Sequence, residues 1–260
     1  MILKDYSTIT ELPNSSVTKL QLKRAHQRYL FASEYCNNRH EIEIGCGAGQ
    51  GLDLVSKKAE SVTGCDINET NLKIAMDTYN SHPKVIIRKM DAEKLLFDDH
   101  SIDTIILFET IYYIYQVKNF FLEANRILKE GGHIIICTAN KNWSDFNSSP
   151  YSVQYYSVPE LYNLASSFGF KAEMYGSFPD KKNTPFLKLS SLIKRIAVKF
   201  HLIPKTMKAK VLLKKLFIGE MQIYPKKLTE NLFDYLRPYP ISADKIDKIH
   251  TVIFAVCRKL

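Results

Sequence analysis

The chain has 260 residues, of which 45% are hydrophobic, and a formal net charge of +9. This size and composition predict one domain with a full core and room for one subsidiary lobe. The five cysteines form no Cys-x-x-Cys pair, so they indicate neither a zinc site nor a disulfide framework. Because there is no apolar run of about 18 residues and no signal-like start, we expect a cytoplasmic protein that does not span a membrane.

Strand-like and helix-like segments alternate from residue 40 to residue 178. This rhythm predicts an α/β fold with a doubly wound, mostly parallel, seven-stranded sheet and helices on both faces. In front of it, an amphipathic segment at 16–36 predicts a helix with Ser15 or Ser16 as its N-cap. The other predicted helices are 52–58, 68–80, 117–128 and 158–168. The predicted strands are 41–44, 61–65, 85–90, 102–108, 133–139, 170–175 and 251–258.

The chain is expected to divide into three regions. Residues 1–39 form an N-terminal helical cap, residues 40–178 with 250–260 form the ligand-binding α/β domain, and residues 179–249 form a helical insertion before the last strand. The insertion is basic, because 181–227 holds thirteen lysines and arginines but only one acid, Glu220. Apolar residues at helical spacing predict two basic amphipathic helices on either side of Pro204, and these would form a lid or an acceptor-binding lobe.

A glycine-rich segment, EIGCGAGQG at 43–51, joins the first predicted strand of the sheet to a helix. Glycines at the end of a strand let bare backbone N–H groups approach a ligand. The spacing fails the G-x-G-x-x-G pattern of dinucleotide sites, because Gln50 or Leu52 stands where the third glycine is needed. The Gly-Lys-Ser/Thr of a triphosphate-binding P-loop is also absent.

The segment at 43–51 begins with an acid and an apolar residue, followed by G-x-G-x-G. It resembles the first motif of the class I, Rossmann-like S-adenosylmethionine-dependent methyltransferases. The resemblance covers residues 40–178 and extends to 251–258. It implies S-adenosyl-L-methionine as cofactor, S-adenosyl-L-homocysteine as product and no metal. It also implies that Glu43 orients the cofactor's ammonium group. The residues implied to pass close to the methionine part are Gly45, Cys46, Gly47 and Gly49.

Acids follow the second and third predicted strands. Asp66 ends the second strand, where a carboxylate can accept both ribose hydroxyls; alternatively, it caps the next helix. The family has an acid at this place, which implies that Ile67 packs on the adenine. Asp91-Ala92 resembles the segment that meets the adenine edge, whereas the alternative for Asp91 is an exposed turn acid.

The fourth predicted strand ends at Phe108-Glu109, beside the expected position of the transferred methyl group, because ligands lie beyond the carboxyl ends of such strands. Glu109 is the first candidate for a general base, if one is needed. Related small-molecule enzymes often have a histidine where Tyr112 and Tyr113 stand here, so a histidine base is not expected. The aromatic residues that shape the pocket or contact the sulfonium, or else pack structurally, are Tyr112, Tyr113, Tyr155 and Tyr156.

The leading hypothesis is in-line methyl transfer to the oxygen, nitrogen or carbon of a small molecule, such as a sugar or a secondary metabolite. A second resemblance, to methyltransferases of bacterial glycan and secondary-metabolite pathways, rests on the helix with Arg28-Tyr29 and the loop after Ala139. The same helix resembles a cofactor-covering helix of the family, which implies that Tyr29 contacts the cofactor. Arg28 is a candidate for acceptor binding, and ordinary helix packing is the alternative for both residues.

Four other hypotheses stay open. The basic insertion could serve an RNA methyltransferase, but few aromatic residues interleave its lysines, and the Asn/Asp-Pro-Pro-aromatic motif is absent after the fourth strand. We therefore do not expect a nucleic acid partner. The insertion could also dock at 186–218 on an anionic membrane surface, with a solvated lysine face on a lid as the alternative. The third hypothesis is a non-catalytic cofactor-binding subunit, and the fourth, which is the least expected, is a dehydrogenase. No pattern indicates the oligomeric state.

Overall fold

The computed structural model describes residues 10–180 and 221–260 of the chain. The helices are α1 (Lys19–Ala32), α2 (Leu52–Ser56), α3 (Glu69–Tyr79), α4 (Val117–Ile127) and α5 (Val158–Ser166), with short 3₁₀ helices at Ser33–Tyr35 and Ile111–Tyr113. The strands are β1 (Ser16–Thr18), β2 (His40–Ile44), β3 (Ser61–Asp66), β4 (Val85–Lys89), β5 (Ile102–Phe108), β6 (Leu128–Ala139), β7 (Phe170–Pro179), β8 (Met221–Ile223), β9 (Tyr239–Pro240) and β10 (His250–Lys259).

The main sheet has the strand order β4-β3-β2-β5-β6-β10-β7-β9. The strands β4, β3, β2, β5 and β6 are parallel, while β10 inserts antiparallel between β6 and β7. This confirms the doubly wound, mostly parallel α/β prediction. The strand count differs by one, because the two-residue strand β9 pairs with the edge of β7 at Tyr175 and Gly176. So short a strand, containing a proline, has no sequence pattern that would predict it.

Helices cover both faces of the sheet, as predicted. Along β5, Ile105 and Leu107 pack in the core layer that contains α4 and α5. Ile106 and Phe108 pack in the opposite layer, with α1 and α2. This alternation follows from the two-residue period of a strand, which turns successive side chains to opposite faces. The strand order reverses between β2 and β5, and a crevice is expected at the carboxyl ends of strands that flank such a reversal.

The first helix begins later than predicted. Residues 16–18 form β1 and pair with β8, so neither Ser15 nor Ser16 is the N-cap. Thr18 caps α1 instead: its Oγ1 accepts the backbone N–H of Gln21 at 3.1 Å, and Oε1 of Gln21 accepts the Thr18 N–H at 2.9 Å. This reciprocal capping box fixes the start of the helix. The pairing with a distant strand overrides the local capping signal.

Most of the predicted basic insertion lies outside the described residues, including both amphipathic helices and the segment 186–218. The described part, 221–249, contains β8, β9 and turns but no helix. Tyr224 and Leu228 from this part are buried against the layer of α1 and α2. Within 10–180 and 221–260, the longest helices are too short or too polar to cross a bilayer.

Candidate active site

A cavity of about 990 Å³ lies beyond the carboxyl ends of β2, β3 and β5, at the reversal of strand order. This is where open α/β sheets bind ligands, and the volume is at the upper end of small-molecule sites. Most of the residues that were predicted from the sequence to form the site line this cavity. They are Arg28, Tyr29, Glu43, Gly45, Cys46, Gly47, Asp66, Ile67, Asp91, Ala92, Phe108, Glu109, Tyr112 and Tyr113.

Three predicted site residues do not line the cavity. Gly49, in the glycine loop, contacts α3 instead: its carbonyl oxygen accepts the Tyr79 hydroxyl at 2.7 Å. The Tyr155 ring stacks behind Tyr112, with ring centroids 4.2 Å apart. Tyr156 is buried in the core layer of α4 and α5. The geometry therefore favours a structural packing role for Tyr155 and Tyr156.

The glycine loop after β2 is held against the end of β3. The backbone N–H groups of Gly45 and Cys46 both donate to the Cys65 carbonyl, at 2.7 and 3.0 Å. Gly45 has φ = 73°, and a Cβ atom at this position would lie 2.2 Å from Oγ1 of Thr110. Only glycine combines this left-handed backbone with so close an approach, which explains the residue at the first position of the motif.

Asp66 ties the glycine loop to the start of α3. One carboxylate oxygen accepts the Gly47 N–H at 2.8 Å, and the other accepts the Asn68 N–H at 2.8 Å. Asn68, not Asp66, caps α3, since its side chain accepts the Asn71 N–H at 3.0 Å. Burial raises the pKa of Asp66, and these backbone hydrogen bonds oppose that rise. The acid is thus fixed at the cavity wall with its carboxylate aimed between loop and helix.

Glu43 is buried at the cavity wall with only half of its carboxylate paired. Oε1 accepts the Tyr29 hydroxyl at 2.6 Å, whereas Oε2 is buried and has no hydrogen-bond partner among residues 10–180 and 221–260. Burial raises the pKa of Glu43 to about 7. A buried acceptor without a partner is costly unless a ligand satisfies it, so this oxygen marks a position for a donor, and a cationic donor would fit best.

The contact between Gly51 and Tyr29 makes the position of Tyr29 testable. A Cβ atom at Gly51 would lie 2.0 Å from Cζ of the Tyr29 ring. We expect Gly51→Ala to displace the ring, to break its bond to Glu43 and to lower the free energy of unfolding by about 1–3 kcal/mol, measured by urea denaturation. In a Tyr29→Ala background the penalty should largely disappear. An equal penalty in both backgrounds would show that the clash is not the cause.

Glu109 lies at the end of β5 in a strained backbone conformation with φ = 50°. Its N–H donates to the Cys137 carbonyl at 2.8 Å, and its Oε2 accepts the Tyr112 hydroxyl at 3.1 Å. Burial raises the pKa of Glu109, while Arg28 and Arg24 oppose the rise. Non-glycine residues keep such a conformation only where surrounding contacts hold it, and these positions cluster at functional sites.

The turn after β4 contributes Asp91 and Ala92. The Asp91 side chain is exposed, and its carboxylate accepts the Glu93 N–H at 2.9 Å, which stabilises the turn. Asp91 is thus a turn acid that also lines the cavity. In the described parts of the chain, no cluster of three or more histidine, cysteine, aspartate or glutamate residues could hold a metal ion.

Several cavity residues were not predicted from the sequence. Arg24 lies four residues before Arg28, and this spacing on one helix face was an available signal. Trp143, Tyr224 and Thr251 come from the loop after β6, the segment after β8 and the start of β10. No local pattern indicates them, because distant segments meet only in the folded chain.

Part of the chain is similar in sequence to known methyltransferases. Residues 42–136 match the model of a methyltransferase domain family, Methyltransf_11. A Mycolicibacterium smegmatis protein named "Probable S-adenosylmethionine-dependent methyltransferase" is 27% identical over 166 residues, which are 62% of this chain and 63% of the relative. A demethylmenaquinone methyltransferase of Tropheryma whipplei is 28% identical over 96 residues, which are 37% of this chain and 40% of the relative.

A solved structure from Thermotoga maritima, described as a SAM-dependent methyltransferase, covers 93% of this chain and 92% of its own chain, with a TM-score of 0.58 and 17% identity. At that identity the likeness supports the fold alone. The chain spans less than two thirds of the length of the curated relatives that it matches. The motif, the sheet topology and the family match nevertheless agree. Residues 42–136 therefore form a domain similar to those of the class I S-adenosylmethionine-dependent methyltransferases.

Proposed function

We propose that this protein is an active methyltransferase that transfers a methyl group from S-adenosylmethionine to a small-molecule acceptor. The observation that carries the proposal is the free, buried Oε2 of Glu43 beside the glycine loop. A carboxylate oxygen in this state matches the ammonium group of an amino acid, because a charge-assisted hydrogen bond would satisfy it. The pairing with Tyr29 leaves this oxygen as the one available to a ligand.

The residues present fit the rest of the cofactor as well. A carboxylate offers about four acceptor positions, and Asp66 uses two of them for backbone N–H groups, so two are left for ribose hydroxyls. Ile67 lines the cavity with a 37% exposed side chain, which leaves an apolar surface for a flat base. When bound, the cofactor supplies a methyl group on a sulfonium that is already activated for displacement.

The protein's own part in the reaction is to hold the acceptor, exclude water and receive a proton where one is lost. Glu109 suits the last task. Burial raises the pKa of the Glu109 carboxyl toward neutral pH, which makes its carboxylate a stronger base. The Tyr112 hydroxyl donates a hydrogen bond to one of its oxygens. The Tyr112 ring is fixed by stacking on Tyr155, so the hydrogen-bonded pair of Glu109 and Tyr112 is preorganised.

The small-molecule acceptor is supported by the shape of the site. The cavity is a concave pocket walled by α1 and by several loops, and its volume suits a cofactor with one small partner. The name of the Tropheryma relative identifies an acceptor of this class, demethylmenaquinone. The O-, N- or C-character of the accepting atom is left open by these observations.

Calorimetry with S-adenosylhomocysteine and with NADH tests the cofactor, and we expect binding of the first only. The acceptor is then sought by incubating host extracts with the protein and with cofactor carrying a deuterated methyl group. We expect mass spectrometry to show a labelled product that depends on the protein. Binding of NADH alone would overturn the cofactor assignment. Tight binding of S-adenosylhomocysteine without any labelled product would favour a non-catalytic subunit.

A further inference from the structure

Arg24 is the cavity residue whose chemistry the methyltransferase reaction does not explain. Its Nη2 donates to Oγ1 of Thr251 at 2.7 Å. Its guanidinium also lies over two aromatic rings, 6.0 Å from the centroid of Trp143 and 5.5 Å from that of Phe178. These contacts fix the plane of the group, and a fixed guanidinium plane presents its remaining N–H donors in one direction.

Within residues 10–180 and 221–260, the charge of Arg24 is only partly compensated. Its Nε atom is buried and has no hydrogen-bond partner in the part of the chain that the structure describes, and the same is true of Nε of Arg28. The acids that face Arg24 are Glu11 and Glu109. Neither arginine forms an ion pair within the described parts of the chain. Burial lowers the pKa of Arg24, as expected for a cation withdrawn from water without a full counter-charge.

Both facing acids favour the charged form of Arg24, but they make their hydrogen bonds to other residues. Glu11 accepts the side-chain amide of Gln21 at 2.7 Å, and Glu109 accepts the Tyr112 hydroxyl at 3.1 Å. Buried cations in proteins are normally paired, because an isolated buried charge is strongly unfavourable. A cavity wall that holds a guanidinium without an ion pair among the described residues is therefore suited to a ligand that brings negative charge.

Arg24 and Arg28 differ in what surrounds them. The Arg28 guanidinium lies over Tyr29 and Phe108, 5.7 and 5.8 Å from their centroids, and its charge lowers the pKa of Glu43. Arg28 is thus next to the proposed cofactor site. Arg24 lies one helical turn earlier, between rings from the loop after β6 and the end of β7. This position places it at the part of the cavity that is left for the acceptor.

We propose that Arg24 binds an anionic group, a carboxylate or a phosphate, on the methyl acceptor, an inference that rests on the proposed function. The planar fork of arginine matches the oxygens of both groups. The charged group anchors one end of the acceptor, and the accepting atom then lies toward Glu109 and the cofactor. Arg24 acts as a specificity-determining residue and takes no part in the chemical step.

The test uses the full chain saturated with S-adenosylhomocysteine and three probes of similar size: phenyl phosphate, benzoate and neutral benzyl alcohol. We expect at least one anion to bind at least tenfold more tightly than the alcohol, measured by calorimetry. Arg24→Gln should abolish this preference, and Arg24→Lys should restore part of it. Lys23→Gln, on the same helix but outside the cavity lining, is the matched control and should leave the preference unchanged.

The two proposals fail in different ways. If S-adenosylhomocysteine does not bind the wild-type protein, the proposed function is wrong. If it binds with equal affinity to the wild type and to Arg24→Gln, the variant is folded and its cofactor site is intact. Equal binding of the anions and the alcohol to the wild type, or an unchanged preference in Arg24→Gln, would then overturn the assignment of Arg24. The relative strength of the two anions separates a phosphate site from a carboxylate site.

Discussion

Replacing Glu43 with glutamine should weaken the binding of S-adenosylhomocysteine by 10- to 100-fold, as measured by titration calorimetry at pH 8. The substitution keeps the shape of the side chain but removes the charge from the oxygen that has no partner among the described residues. A hydrogen bond to a charged group contributes about 1.5–3 kcal/mol, which corresponds to this range of affinity. The Tyr29 hydroxyl can still donate to the amide oxygen, so the fold should survive.

The pH dependence gives a second and sharper sign of the same interaction. Burial raises the pKa of Glu43 to about 7, and an ammonium group binds only the ionised form well. Affinity in the wild type should therefore fall as the pH drops below 7, by up to about tenfold per pH unit, because the carboxyl must first lose its proton. In Glu43→Gln this dependence should be absent.

Glu41 provides the matched control for that experiment. It lies two residues earlier on β2 and is equally buried, but it does not line the cavity. Glu41→Gln should leave the affinity for S-adenosylhomocysteine and its pH dependence unchanged. A similar loss of affinity in both variants would mean that the effect arises from the strand, and the role proposed for Glu43 would be wrong.

The sequence best predicts those features whose patterns lie within a short segment of the chain. The seven main strands and the glycine loop follow from patterns within about ten residues, and Asp66 follows from its place at the end of a strand. The N-cap at Thr18 could not be predicted from the local sequence, because β1 forms by pairing with residues 221–223. Two residues near the site show the same limit. Tyr155 was predicted to line the cavity but lies behind Tyr112, whereas Arg24 was not predicted and lines the cavity.

The strand β2 shows why alternation alone can mislead. Its sequence, HEIEI, alternates polar and apolar residues, a pattern typical of a strand with one face in water. In the structure, Ile42 and Ile44 pack in the layer of α4 and α5. Glu41 and Glu43 are only 1% exposed on the other side of the sheet, where α1 and α2 pack. The strand β2 therefore holds two buried acids, one at the cavity and one away from it.

Removing the second of these acids should stabilise the protein. Among the described residues, no donor forms a hydrogen bond of good geometry with either carboxylate oxygen of Glu41. Burial raises its pKa to about 8, although the nearby Thr104 and Cys36 side chains oppose the rise. The folded state therefore keeps a proton that the unfolded chain loses near pH 4.5, so this residue lowers the free energy of unfolding as the pH rises between those values. We expect Glu41→Gln to raise the free energy of unfolding at pH 7 by up to about 3 kcal/mol.

Urea denaturation of the wild type and the variant between pH 4.5 and pH 9 would measure this effect. The difference between them should be near zero at the acid end, should grow with pH and should level off above pH 8, where the wild-type carboxyl is ionised in both states. Because Glu43 titrates in the same direction in both proteins, it cancels from the comparison. Glu60→Gln, which changes an exposed side chain, should show no such trend. A Glu41→Gln variant whose advantage is constant across this pH range would show that packing, and not the buried charge, sets the stability at this position.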